Sequence, residues 1–136
     1  DMNSLKEFYK TNYPEAEISL CDSLESESMK IMCNCFYASK IMIFNEYSAL
    51  CRNNGANFDK IRELMLKNNW INPMHTIVPG TDGKLGYGGA CFPKDTLALC
   101  EYMSQNGSIN NVLSSVIKEN KSIRDINEKN NLKVNL

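Results

Sequence analysis

Apolar residues recur at helical spacing over most of this chain, and one long stretch breaks the rhythm. "SLESESMKIMCNCFYASKIMIFNEYSALCRNNG" predicts a single long helix over roughly 23 to 53. Asp22 or Ser23 offers a cap, acidic residues fill the first turn, and Arg52 precedes Gly55. "NFDKIRELMLKNN" carries the pattern of a second, amphipathic helix. Residues 70–90, with two prolines and five glycines, predict a loop. A third helix is expected from Pro93 to about Gln105. A fourth is expected over "SINNVLSSVIKENKSIRDINEK", with apolar residues at 109, 112, 113, 116, 117, 123 and 126. At the start, "SLKEFYKTNY" reads as a short helix ended by Pro14, and "EISLCD" has the length and alternation of one short strand. Residues 130–136, rich in Asn and Lys, are expected to fray. The expected fold is mainly α, a bundle of about four to five helices around one long central helix, with a long Gly/Pro loop.

The long helix is apolar on nearly every side between Met29 and Cys51, so partners must surround it, either the other helices or a second copy of the chain. Against that background its polar residues are informative. Lys30, Asn34, Ile41 and Asn45 are spaced by 4, 7 and 4, which puts three polar side chains on one stripe. A buried lysine without a partner costs several kcal/mol, so the stripe faces either water or a polar ligand. One charge and two amides suit the wall of a site better than a wetted surface.

Composition narrows the possible functions. The chain has 136 residues, 43% of them hydrophobic and 23% charged, which is the size and make-up of one globular domain. A formal net charge of −1 excludes a basic surface built for nucleic acid. No apolar run approaches the roughly 18 residues of a membrane helix and nothing resembles a secretory signal, so the expected location is the cytoplasm. In that compartment the six cysteines are expected to be thiols. None of them, and no pairing with the single His75, has the spacing of a metal site.

The chemistry concentrates in "GYGGACFPKD", residues 86–95. Pro93 suits the first position of a helix, which places Phe92 at the cap and Cys91 just outside the positive end, where unpaired N–H groups favour a thiolate. Asp95 follows one turn later. Gly86, Gly88 and Gly89 allow positive φ or a close approach of the backbone to a ligand. As a dinucleotide fingerprint "GYGG" fails, because it lacks the third glycine and follows no strand.

Together, "KIMCN" and "FNE" on the long helix and "GYGGACFPKD" resemble the central domain of the UDP-glucose/GDP-mannose dehydrogenase family, over about Cys21 to Arg124. The resemblance implies a central helical domain, here 23–129, that dimerises through the long helix. It also makes residues 1–22 the end of a preceding NAD-binding domain, with "EISLCD" as its last strand. It implies twofold oxidation of the C6 alcohol of a nucleotide sugar, UDP-glucose foremost, to the carboxylate, with NAD as cofactor held mainly by that other domain. Carried over by motif, Cys91 is the nucleophile, Lys30 and Asn34 steady the oxyanion, and Asp95 activates water or relays protons. Asp82, Gly83, Lys84, Leu85, Gly86, Tyr87 and Gly88 lie along the sugar, and Lys94 belongs to the cofactor. The chain departs from the family where Trp70, Ile71 and Asn72 replace an Arg-Ile-Gly run whose arginine reaches the neighbouring subunit's substrate. A fragment without its outer domains is expected to be inactive alone. The other reading of the same residues is a helical homodimerisation module without chemistry of its own.

Overall fold

The computed structural model describes residues 1–134, with side chains as far as 126. It contains five helices: α1 (Met2–Asn12), α2 (Ser23–Asn54), α3 (Phe58–Leu66), α4 (Phe92–Gln105) and α5 (Asn111–Val134). The mainly α expectation holds, with α2 as the central rod. Fraying expected over 130–136 concerns side chains outside the described residues and, at 135 and 136, the backbone as well.

Capping explains where α2 begins and ends. The Asp22 carboxylate accepts from Glu25 N, and the Glu25 side chain reaches back to Asp22 N, a reciprocal pair that satisfies two orphan donors. At the other end Gly55 takes φ +76 and donates to the Cys51 carbonyl. Asn57 caps α3 through Lys60 N.

α4 packs mainly along α2, α5 lies across both, and α3 folds back on the C-terminal half of α2. The core is small. Ala38 and Met42 of α2 meet Tyr87 from the loop, with Ile41, Phe92, Val116 and Ile123 packed around them. Buried positions on α2 run Cys35, Ala38, Met42, Asn45, a single helical stripe. On the opposite side Met32, Phe36, Ile43, Tyr47 and Leu50 are exposed. The expectation that α2 is covered all round is therefore met on one side only within this chain.

No strand is found among the described residues. Residues 17–22 have the alternation of a strand, but a ladder needs a partner strand to exchange backbone hydrogen bonds with, and the described residues contain none. Likewise, among the described residues α1 packs against no other helix, and Met2, Leu5, Phe8 and Tyr9 are exposed.

Candidate active site

The long loop between α3 and α4 is tied down along its length. Thr76, fully buried, donates to Pro73 O at 2.7 Å and accepts from Arg62 Nε of α3 at 2.8 Å. Lys40 of α2 donates to Asn72 O. Further on, residues 80–84 form a tight turn closed by Gly80 N to Lys84 O and Gly83 N to Gly80 O, with Gly83 at φ +73. Asp82 Oδ1 accepts from Lys84 N inside that turn.

From the turn the chain re-enters the core. Gly86 N donates to Asn45 Oδ1 of α2 at 3.0 Å, and Tyr87 is buried. The loop then delivers Cys91 to the start of α4. Cys91 is itself the cap residue, one position earlier than Pro93 alone suggests; Phe92 and Pro93 open the first turn. No side chain caps this end, and Cys91 is exposed. The helix therefore presents the thiol with uncompensated N–H groups behind it.

One turn further, Asp95 N donates to Cys91 O at 2.8 Å, and the Asp95 side chain turns inward toward α2. Its Oδ2 accepts from Lys30 Nζ at 2.7 Å and from Asn34 Nδ2 at 2.6 Å; its Oδ1 accepts from Lys94 Nζ at 2.5 Å. Asp95 is 2% exposed, yet both lysine side chains that pair with it reach water. The hydrogen bonds from Lys30, Lys94 and Asn34 hold its carboxyl well below the usual carboxylate range. Lys94 is correspondingly raised by Asp95. Beneath them Cys35 donates to Asp95 O at 3.5 Å, and burial, reinforced by the Asp95 charge, pushes that thiol up to about 11.

A cavity of about 380 Å³ lies against the loop and reaches α4 at Phe92; Lys30, Asn34, Cys91, Lys94 and Asp95 are not among its lining residues. Gly86 to Gly89, Asp82, Phe92 and His75 are among the residues that line it. The His75 ring sits between Tyr37 and Phe92, with centroids 5.2 and 5.5 Å away. Among the described residues no group of histidine, cysteine and carboxylate side chains has the arrangement of a metal site, and no helix is long and apolar enough to cross a membrane.

Residues 24–122 match the model of the UDP-glucose/GDP-mannose dehydrogenase family, central domain. The chain belongs to this family. Its relatives include UDP-glucose 6-dehydrogenase 5 of Oryza sativa subsp. japonica, 33% identical over 121 residues, which span 88% of this chain and 24% of that protein. The UDP-glucose 6-dehydrogenase of Pseudomonas aeruginosa is 36% identical over 96 residues, 71% of this chain and 20% of that protein. UDP-glucose 6-dehydrogenase 3 of Arabidopsis thaliana is 32% identical over 106 residues, 78% of this chain and 21% of that protein. The chain thus spans a quarter or less of the length of these curated relatives.

Within this central domain the fold brings Lys30, Asn34, Lys94 and Asp95 into one hydrogen-bonded cluster, one turn from Cys91. Asn45, on the same stripe as Lys30 and Asn34, does something else: it holds Gly86. Of the two roles expected for the glycines, Gly86 at φ +73 and Gly89 at φ +78 take the positive-φ one. A Cβ on Gly86 would lie 2.4 Å from Asn120 Oδ1, and one on Gly88 would lie 2.8 Å from Arg124 Nη2. At these two positions the space is filled by α5 side chains. Gly89, at φ +78, and Gly83, at φ +73, have nothing within 4 Å of a Cβ position, so their surroundings are open.

Asn120 and Arg124 were not among the residues expected at the site. Asn120 Oδ1 accepts from Tyr87 N at 2.7 Å and its Nδ2 donates to Tyr87 O at 3.1 Å. Arg124 donates to Tyr87 O and Gly86 O and pairs with Asp82 at 2.8 Å. The signal that points to them is positional. An asparagine at 120 interrupts the apolar face made by Leu113, Val116 and Ile123, and Arg124 follows it by one turn.

Proposed function

We propose that this chain is the central part of an NAD-dependent nucleotide-sugar 6-dehydrogenase of the UDP-glucose type, which oxidises the C6 alcohol to the carboxylate through a thioester on Cys91. The observation that carries this reading is the convergence of Lys30 and Asn34 of α2 on Asp95 of α4, one turn from an exposed thiol at an uncapped helix start. Most of the family's signature thereby meets in one place.

The residues suggest a division of labour. Once C6 is an aldehyde, the Cys91 sulfur adds to it and the oxygen gains negative charge; Lys30 and Asn34 supply the cationic and neutral donors for that oxyanion. Loss of a second hydride leaves the thioester, and water then releases the carboxylate and restores the thiol. NAD, when bound, would supply the oxidant, with one molecule accepting each of the two hydrides. Asp95, with its lowered pKa, is a weak base, so its part is to hold Lys30, Asn34 and Lys94 in place and to orient water through its oxygens. The loop from Asp82 to Gly88 lies along the sugar.

Of the cofactor's partners this chain offers Lys94, an exposed cation at the open end of α4, which fits a place beside a phosphate or ribose. Its glycine run follows no strand, so the residues here fit the edge of a dinucleotide site and do not form one. The chain alone is accordingly inactive. In the dehydrogenase that contains it, Cys91→Ser abolishes acid formation, and Lys30→Ala or Asn34→Ala lowers kcat by roughly 10²-fold or more. Full activity of Cys91→Ser, measured by release of the sugar acid, refutes the reading.

A second reading is favoured by the exposed apolar stripe on α2: a homodimerisation module in which the thiol is inert. Both hold together if the parent is a dimeric enzyme. They part at Cys91, which alkylating reagents modify much faster than the other five thiols only in the first.

A further inference from the structure

We propose that Arg124 and Asn120 are positioning residues through which α5 sets the Asp82–Gly88 backbone over the cavity and thereby fixes where a nucleotide sugar is held relative to Cys91. The inference rests on the reading of that loop as the segment lying along the sugar.

An ordinary surface loop satisfies its backbone with water. Here side chains from two helices do so instead. Tyr87 N donates to Asn120, and Tyr87 O accepts from both Asn120 and Arg124 Nε, at 2.7, 3.1 and 3.1 Å. Gly86 O accepts from Arg124 Nη2 at 3.1 Å, and Gly86 N donates to Asn45. The third Arg124 nitrogen, Nη1, pairs with Asp82 at 2.8 Å. One planar group thus reaches two carbonyls and a carboxylate in fixed relation, a task a lysine cannot perform.

The fit is reciprocal. The backbone approaches so closely that no Cβ is accommodated at 86 or 88 without moving Asn120 or Arg124. The clamp also reaches the reactive helix, because the Tyr87 hydroxyl lies 3.3 Å from Thr96 Oγ1, and Thr96 directly follows Asp95. Arg124 and the loop it holds line the same cavity.

The test uses the dehydrogenase that contains this chain. In Arg124→Ala the KM for the nucleotide sugar rises roughly tenfold or more while kcat changes less, because ground-state binding is what loosens. Added guanidinium at millimolar concentration restores the KM of Arg124→Ala, whereas Arg124→Lys stays impaired despite keeping the charge. In Asn120→Ala, native-state amide exchange at Tyr87 accelerates while the α2 core amides keep their protection. If those core amides are also lost, the variant has unfolded, and Arg124→Lys decides instead. An unchanged KM in both Arg124 variants overturns the proposal, as does undiminished protection of Tyr87 in a folded Asn120→Ala protein. The dehydrogenase reading fails on different grounds, since Cys91→Ser reports on it regardless of the loop.

Discussion

At the scale of single residues, three groups near the start of α4 illustrate how environment separates like from like. Cys91 is exposed at an uncapped helix start, while Cys35 is buried with its thiol pushed up to about 11. A thiol-alkylating reagent therefore modifies exposed Cys91 in the folded protein and reaches buried Cys35 only after unfolding. The Cys35 shift also has a sign in stability. Its folded pKa lies above the ordinary 9.0, so the folded state holds the proton more tightly. That contribution is complete below pH 9.0 and is lost as pH rises toward about 11. Cys35→Ala is expected to flatten the alkaline fall in stability over this window, read from urea midpoints at successive pH values. An identical fall in both proteins contradicts the burial. Asp95 has the opposite sign: its depressed carboxyl stabilises above the ordinary 3.8, and that stability is lost as pH falls below it.

Among the elements, the loop before α4 carries the site, and its glycines are unequal. Gly86 combines φ +73 with an Asn120 oxygen 2.4 Å from where a Cβ would stand, whereas Gly89 has the backbone constraint and open space. Gly86→Ala should cost about 1–3 kcal/mol through strain plus whatever the displaced Asn120 loses, clearly more than Gly89→Ala, by thermal or chemical unfolding. Equal costs would show that Asn120 moves aside freely. The helices themselves were legible because their ends are written locally: Asp22 with Glu25, Gly55 and Asn57 each act within four residues. The shared stripe of Lys30 and Asn34 follows from helical spacing alone. What the stripe meets does not, since Asp95 lies 61 residues beyond Asn34. Similarly, glycines at 86 and 88 advertise a special backbone, but the side chains that fill the vacant Cβ positions, Asn120 and Arg124, lie more than 30 positions downstream. The strand at 17–22 misled because alternation reports which faces would differ, not whether a neighbour exists to pair with.

At the scale of the whole molecule, surface area is the informative quantity. The chain exposes 10266 Å², against about 7,200 Å² for a compact monomer of this mass. Large apolar side chains of α1 and of the α2 stripe are exposed, and a groove of about 470 Å³ beside that stripe has Phe36, Tyr47 and Trp70 among its lining residues. A symmetric pairing along α2 would cover it. Phe36→Glu combined with Tyr47→Glu is then expected to convert a dimer to a monomer in sedimentation velocity, with the helical content retained. A monomeric unaltered chain at tens of micromolar, roughly the Kd of a weak interface, counts against this pairing.

Trp70 is the chain's single tryptophan and is 92% exposed at the mouth of that groove. Its indole is therefore a built-in optical reporter: emission is red-shifted and open to iodide quenching while the face is wetted. It turns blue and becomes shielded when another surface closes over it, so dilution alone can reveal whether this side of the rod is occupied.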